Sequence, residues 1–199
     1  MRRIVMFNRV SADGYFAGAD GNLDWVVPED AVDRAAASST GAYDTVLFGR
    51  RTYEMFEGFW PHALEGGGTD APDPHARRRS PEMRAMAEML NDATKLVFSK
   101  KRKEVTWKNS RLVKAFDARE LAALKQQPGK DMIIFGSGSL VSQLTEHGLI
   151  DEYQFIVGPL LLGDGRLPIT GVTERVPLEL LEAKPYPSGN VMLRYARRK

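Results

Sequence analysis

The 199-residue chain contains no cysteine. That absence excludes disulfides, thiolate zinc ligands and cysteine nucleophiles at once. Histidine is scarce, and His62, His75 and His147 show no mutual spacing for a metal ion. Charge of one sign is lacking too: 28 basic residues face 26 acidic ones, for a net +2. Such a balance gives no reason to expect nucleic acid as a partner. Long apolar runs are missing as well. Met1-Arg2-Arg3-Ile4-Val5-Met6-Phe7 begins like a leader, but Asn8 and Arg9 end the apolar stretch after four residues. A signal peptide needs roughly 7–15 apolar residues and a membrane span about 20. The expectation is a cytoplasmic protein with no membrane contact, folded as a single domain over 1–199.

What is present alternates strand and helix signals. Ile4 to Val10, Thr45-Val46-Leu47-Phe48, Lys95-Leu96-Val97-Phe98 and Met132-Ile133-Ile134-Phe135 are short runs rich in β-branched and aromatic residues, the pattern of strands buried on both faces. Val105 to Trp107 and Leu112-Val113 suggest two shorter strands, and Ile150 to Val157 a half-covered one. Leu178 to Leu181 and Val191 to Tyr195 predict an antiparallel hairpin at one edge. Helices are expected after Pro28-Glu29-Asp30, after Gly49, after Ser80-Pro81 and after Asp117, whose Glu120 completes a capping box. Met83, Met86, Ala87 and Leu90 fall at i, i+3, i+4 and i+7, which makes them core packing. Pro61 to Ser80 is rich in glycine and proline and predicts a long loop. The pattern is an α/β domain with a largely parallel sheet and an antiparallel C-terminal edge.

Asp131-Met132-Ile133-Ile134-Phe135-Gly136-Ser137-Gly138-Ser139-Leu140-Val141 is the stretch with most chemical content. A strand, a small-residue turn and then a helix present backbone N–H groups and a helix dipole to an anion. The same residues also suit a tight turn whose glycines serve geometry alone. Three buried strands each end in a phosphate-compatible turn: Gly49-Arg50-Arg51-Thr52, Ser99-Lys100 and Gly136-Ser137-Gly138-Ser139. Ligands of such sheets bind at the carboxyl ends of the strands, so neighbouring strands would gather the three turns in one crevice. Hydroxyls and cations converging there suit a ligand with several phosphates.

In order along the chain, these pieces resemble the dihydrofolate reductase-like proteins, and within them the carboxy-terminal reductase domain of bacterial riboflavin biosynthesis. The matching residues are Ser11-Ala12-Asp13-Gly14, Phe48-Gly49-Arg50-Arg51-Thr52-Tyr53-Glu54, Val97-Phe98-Ser99-Lys100, Phe135-Gly136-Ser137-Gly138-Ser139-Leu140, His147 to Tyr153, and Pro159 to Gly165. The resemblance implies a three-layer α/β/α fold, NADPH as cofactor and a homodimer. Arg50 and Thr52 would then take phosphates, with Arg51 beside them as ligand or surface residue. Ser99 and Lys100 would lie near the adenosine 2′-phosphate, and Gly136 to Leu140 would cradle the pyrophosphate. Ala12 and Gly49 complete the cofactor set. Lys101 to Lys103 read as a solvated turn.

Trp25-Val26-Val27-Pro28-Glu29-Asp30 resembles the tract that holds the acid facing the pterin ring in dihydrofolate reductases. Asp30 is thus the candidate catalytic acid, with Trp25, Asp13 and Phe56 as substrate-side candidates. Asp30 could equally stabilise a helix N-terminus, and Asp13 could be an ordinary turn aspartate. Asp151-Glu152 mimics a catalytic pair, but neighbouring strand residues point to opposite faces, which favours structural roles. One departure from the family stands out: Arg166-Leu167-Pro168-Ile169 occupies a place that is usually apolar and aromatic. The implied activity is hydride transfer from NADPH to a small heterocycle, as in 5-amino-6-(5-phosphoribosylamino)uracil reductase. Dihydrofolate reduction, a non-catalytic NADPH sensor and an empty scaffold are the alternatives. No metal is called for.

Overall fold

The computed structural model describes residues 1–64 and 80–198. Most of the expected Pro61–Ser80 loop, with His75 and the Arg77-Arg78-Arg79 cluster, lies outside them, as does Lys199. The chain runs β1 (Ile4–Ser11), α1 (Asp30–Ser39), β2 (Tyr43–Gly49), α2 (Arg50–Glu57), α3 (Pro81–Asp92), β3 (Thr94–Phe98) and β4 (Ser110–Val113). It continues with α4 (Ala118–Gln126), β5 (Asp131–Phe135), α5 (Gly138–Glu146), β6 (Glu152–Gly158), β7 (Leu178–Pro185) and β8 (Val191–Arg197).

All eight strands join one sheet in the order β4-β3-β2-β5-β1-β6-β8-β7. The first six are mutually parallel, and β8 and β7 close the far edge antiparallel, as expected. Burial on both faces explains the unbroken apolar runs. On one face Val5, Phe7, Val46 and Phe48 pack against α1, α2 and α3 through Val32, Tyr53, Phe56 and Leu90. On the other, Ile4, Met6, Met132 and Ile134 meet Leu121 of α4 and Leu140, Val141 and Leu144 of α5. The result is three layers, α/β/α.

The caps read from the sequence hold. Ser80 accepts from Met83 N at 3.1 Å, and Asp117 accepts from Arg119 N at 2.7 Å. His147 ends α5, and Gly148 follows it at φ +63°. The segment Val105 to Trp107 is not a strand. Trp107 is buried by its ring instead, with Nε1 donating to Asn91 Oδ1 at 2.8 Å. Lys95 is also wholly buried; its ammonium group donates to the carbonyls of Leu90 and Ala93 at 2.6 and 2.8 Å and lies over the Trp107 ring. Asp151 and Glu152 are structural. Asp151 takes Ile4 N and Lys125 Nζ, while Glu152 takes Arg3 and Arg194. Among the described residues no helix is long and apolar enough to cross a membrane.

Candidate functional site

Because β1, β2, β3, β5 and β6 are parallel, their carboxyl ends share one edge of the sheet. A cavity of about 1170 Å³ lies along that edge. Its lining contains Gly49, Arg50, Arg51 and Thr52 after β2, Ser99 and Lys100 after β3, and Gly136, Ser137, Gly138, Ser139 and Leu140 after β5. The three turns picked out in the sequence therefore meet in one place.

Two of them are joined directly. Ser137, at φ +59°, precedes α5, and its Oγ accepts from Gly49 N at 2.8 Å while donating to Thr52 Oγ1 at 2.9 Å. A Cβ on Gly49 would sit 2.9 Å from that Oγ, so the first turn must be glycine for the second to reach it. Gly136 has φ +54° and lies against Thr52. The first turn of α5 presents N–H groups without intrahelical partners to the cavity.

The cations divide into engaged and available groups. Arg50 pairs with Glu54 at 3.1 Å. Arg102 lies over the Tyr53 ring and pairs with Glu57. Arg51, Lys100 and Lys101 line the cavity and are exposed. The expectation that Lys101 to Lys103 form a solvated turn is therefore corrected: Lys101 is part of the cavity wall, and Arg102 is fixed against α2.

A roof covers the β1 side. Ala12 N donates to Leu160 O, Phe16 N to Arg166 O, and Arg166 N to Ala17 O, each at 2.8 Å. Asp13 accepts from the backbone N–H groups of Leu162 and Gly163 at 3.1 and 2.7 Å and from the Ser11 hydroxyl at 2.6 Å. The Ser11 bond, followed by those N–H groups, lowers the Asp13 pKa to about 2. Asp13 thus fastens the loop after β1 to the loop after β6, and it does not line the cavity. A Cβ on Gly138 would lie 3.1 Å from Leu167 O, so this roof also sits on the start of α5.

Three further candidates fall outside the lining. Trp25 packs on Gly158, Ala12 belongs to the roof's hydrogen bonding, and Asp30 is exposed at the first position of α1. Glu29 takes the capping role instead, accepting from Ala31 N and Ser188 N at 3.2 Å each. These contacts lower the Glu29 pKa, that to Ser188 first. Phe56 does line the cavity, beside Met55, Leu23 and Val26.

Sequence reasoning passed over Asn8, Arg9 and Arg166, which all line the cavity. Asn8 is 3% exposed, and its Nδ2 is buried without a hydrogen-bond partner among the described residues. Arg9 Nη2 meets Asp33 of α1 at 3.1 Å. The one available signal was polarity: Asn8-Arg9 interrupts an otherwise apolar strand.

Comparison with known proteins gives the same architecture. The Bacillus subtilis uncharacterized protein YyaP is 25% identical over 98% of this chain and 94% of its own. A crystal structure of a putative riboflavin biosynthesis protein from Shewanella sp. PV-4 superposes with a TM-score of 0.73 at 21% identity, covering 99% of both chains. Dihydrofolate reductase from Enterococcus faecalis, complexed with NADP(H) and RAB-propyl, gives 0.61 at 15% identity, covering 99% of this chain and 97% of its own. The fold is that of the dihydrofolate reductases. The sequence model of the RibD C-terminal domain matches residues 2–192, and the chain belongs to that family.

Proposed function

We propose that residues 1–199 act as one NADPH-dependent reductase domain that passes hydride to a small heterocyclic compound of the 5-amino-6-(5-phosphoribosylamino)uracil type. The observation that carries this reading is the convergence of three turns, two helix starts and the exposed cations Arg51, Lys100 and Lys101 on one cavity. Its volume, about 1170 Å³, exceeds the roughly 300–1,000 Å³ that accommodates a single drug-sized ligand. A dinucleotide and a second small molecule fit that allowance.

The residues present suit NADPH. Thr52, Ser137 and Ser139 offer hydroxyls beside the start of α5 for the pyrophosphate, and Arg51 with Lys100 offers charge for a 2′-phosphate. Ser99, whose Oγ accepts from Arg102 N at 2.9 Å, fixes the turn that carries Lys100. When bound, the nicotinamide supplies the hydride. This chain's part is to hold the two ligands against each other and keep water out, with Phe16 and Leu167 above and Met55 and Phe56 as apolar wall.

Dihydrofolate as substrate is the weaker reading, because the acid expected to pair with its ring, Asp30, is exposed and outside the lining. A homodimer is supported by β7, an edge strand with Leu180 and Leu181 about half exposed. A spectrophotometric assay of NADPH oxidation with aminopyrimidines and dihydrofolate tests the reading. Saturable oxidation with a pyrimidine is expected. Tight NADPH binding without oxidation across the panel would favour the sensor instead.

A further inference from the structure

The roof carries a cation for which the nucleotide has no use. Arg166 follows β6, and its backbone is pinned to Ala17 and Phe16 by two hydrogen bonds of 2.8 Å. Its guanidinium lies across Gly21, so closely that a Cβ there would sit 2.6 Å from Nη1. Gly21 also has φ +93°, which favours glycine for its backbone alone. Backbone and side chain are both placed.

Arg166 nevertheless lacks a counter-ion. Among the described residues its side chain makes one hydrogen bond, to the Asp20 carbonyl at 3.3 Å, and no ion pair. The nearby Asp20 carboxylate is engaged with Asn22, accepting from its backbone N at 2.9 Å. Arg9, the other guanidinium on this side, is held by Asp33. A guanidinium positioned at a cavity without a carboxylate is poised for an anion from outside.

Topology separates this cation from the phosphate-compatible turns. Strands β5 and β1 lie between β2 and β6. Three strand spacings put the β6 loop about 14 Å along the sheet from the turn that carries Arg51. A second, independent feature lies on the floor of the β1 side, where Asn8 Nδ2 is buried and unpartnered among the described residues. A buried donor of that kind calls for an acceptor such as a ring carbonyl.

We propose that Arg166 is the anion-recognition residue of the second compartment, so that its ligand carries a phosphate or carboxylate beside a carbonyl-bearing ring. The inference rests on the reductase reading only in calling that ligand the substrate. It also gives a role to the departure at Arg166-Leu167-Pro168-Ile169.

The test is calorimetry with matched ligands on protein saturated with NADP⁺. Uridine is compared with uridine 5′-monophosphate, and uracil with orotate, which adds a carboxylate. At least one charged ligand should bind tenfold or more tighter than its neutral partner; the pair that shows the preference tells phosphate from carboxylate. Arg166→Leu should erase the preference, Arg166→Lys should restore part of it, and Arg51→Ala should leave it in place. If neither charged ligand is preferred, including no binding by any of the four, the proposal is overturned. It is equally overturned by a preference that survives Arg166→Leu or that Arg51→Ala removes. Should NADP⁺ itself fail to bind, the reductase reading falls separately, and the same pairs on nucleotide-free protein decide the role of Arg166.

Discussion

Ser137 Oγ donates to Thr52 Oγ1 across 2.9 Å, joining turns that are 85 residues apart in the chain. The same oxygen accepts from Gly49 N. One side chain thereby sets the distance between the starts of α2 and α5, the two helix ends that face the cavity. Removing it leaves a buried N–H unsatisfied. Ser137→Ala should lower stability by about 1–3 kcal/mol and weaken NADPH binding in parallel, as read by urea denaturation and nucleotide titration. Unchanged values in both would show that the link is incidental.

Asp13 ties the two roof loops together. Asp13→Ala should let residues 12–22 and 159–170 exchange amide hydrogens faster, and do so together, while the sheet stays protected. Exchange mass spectrometry at neutral pH reads this directly. The pH dependence has a defined sign. The folded-state pKa, about 2, lies below the ordinary 3.8. The clamp's contribution is therefore complete above pH 3.8 and fades as pH falls through 2. Wild type should lose its advantage over Asp13→Ala only in that acid window.

Lys95 titrates in the opposite range. Burial lowers its pKa from 10.5 to about 8. Between those values the unfolded chain holds a proton that the folded one has released, so this group makes stability rise with pH from 8 to 10.5. Lys95→Met should abolish that rise. It should also destabilise the protein at pH 7 by about 1–3 kcal/mol, because the carbonyls of Leu90 and Ala93 lose their donor. Denaturant titrations at several pH values compare the two proteins.

Asp30→Asn should leave NADPH affinity and turnover unchanged and cost only about 0.3–1 kcal/mol through the helix dipole. Glu29→Ala, which removes the cap, should cost about 1 kcal/mol. A selective loss of turnover in Asp30→Asn would restore the catalytic acid.

The layers and the three turns were legible because each depends on local pattern and one topological rule. A parallel strand buried on both faces reads as an apolar run, and parallel strands bring their carboxyl ends together. What escaped depended on contacts between distant loops. Nothing near Arg166 in the chain announces that its backbone bridges to Ala17. Glu29 and Asp30 were exchanged because a single-residue shift at a helix start turns a side chain by about 100°. Trp107 looked like part of a strand because burial by stacking leaves the same apolar trace as burial by pairing. Gly49 and Gly138 suggested close approach by a ligand, yet each makes room for the protein itself, Gly49 for Ser137 Oγ and Gly138 for Leu167 O.

The central claim is that the cavity holds NADPH, and calorimetric titration with NADPH and NADH tests it most directly. The account predicts NADPH binding at least tenfold tighter than NADH, with Arg51→Ala and Thr52→Ala each weakening NADPH. Failure of either nucleotide to bind, or equal binding that neither substitution alters, would contradict it and leave the fold without the reductase.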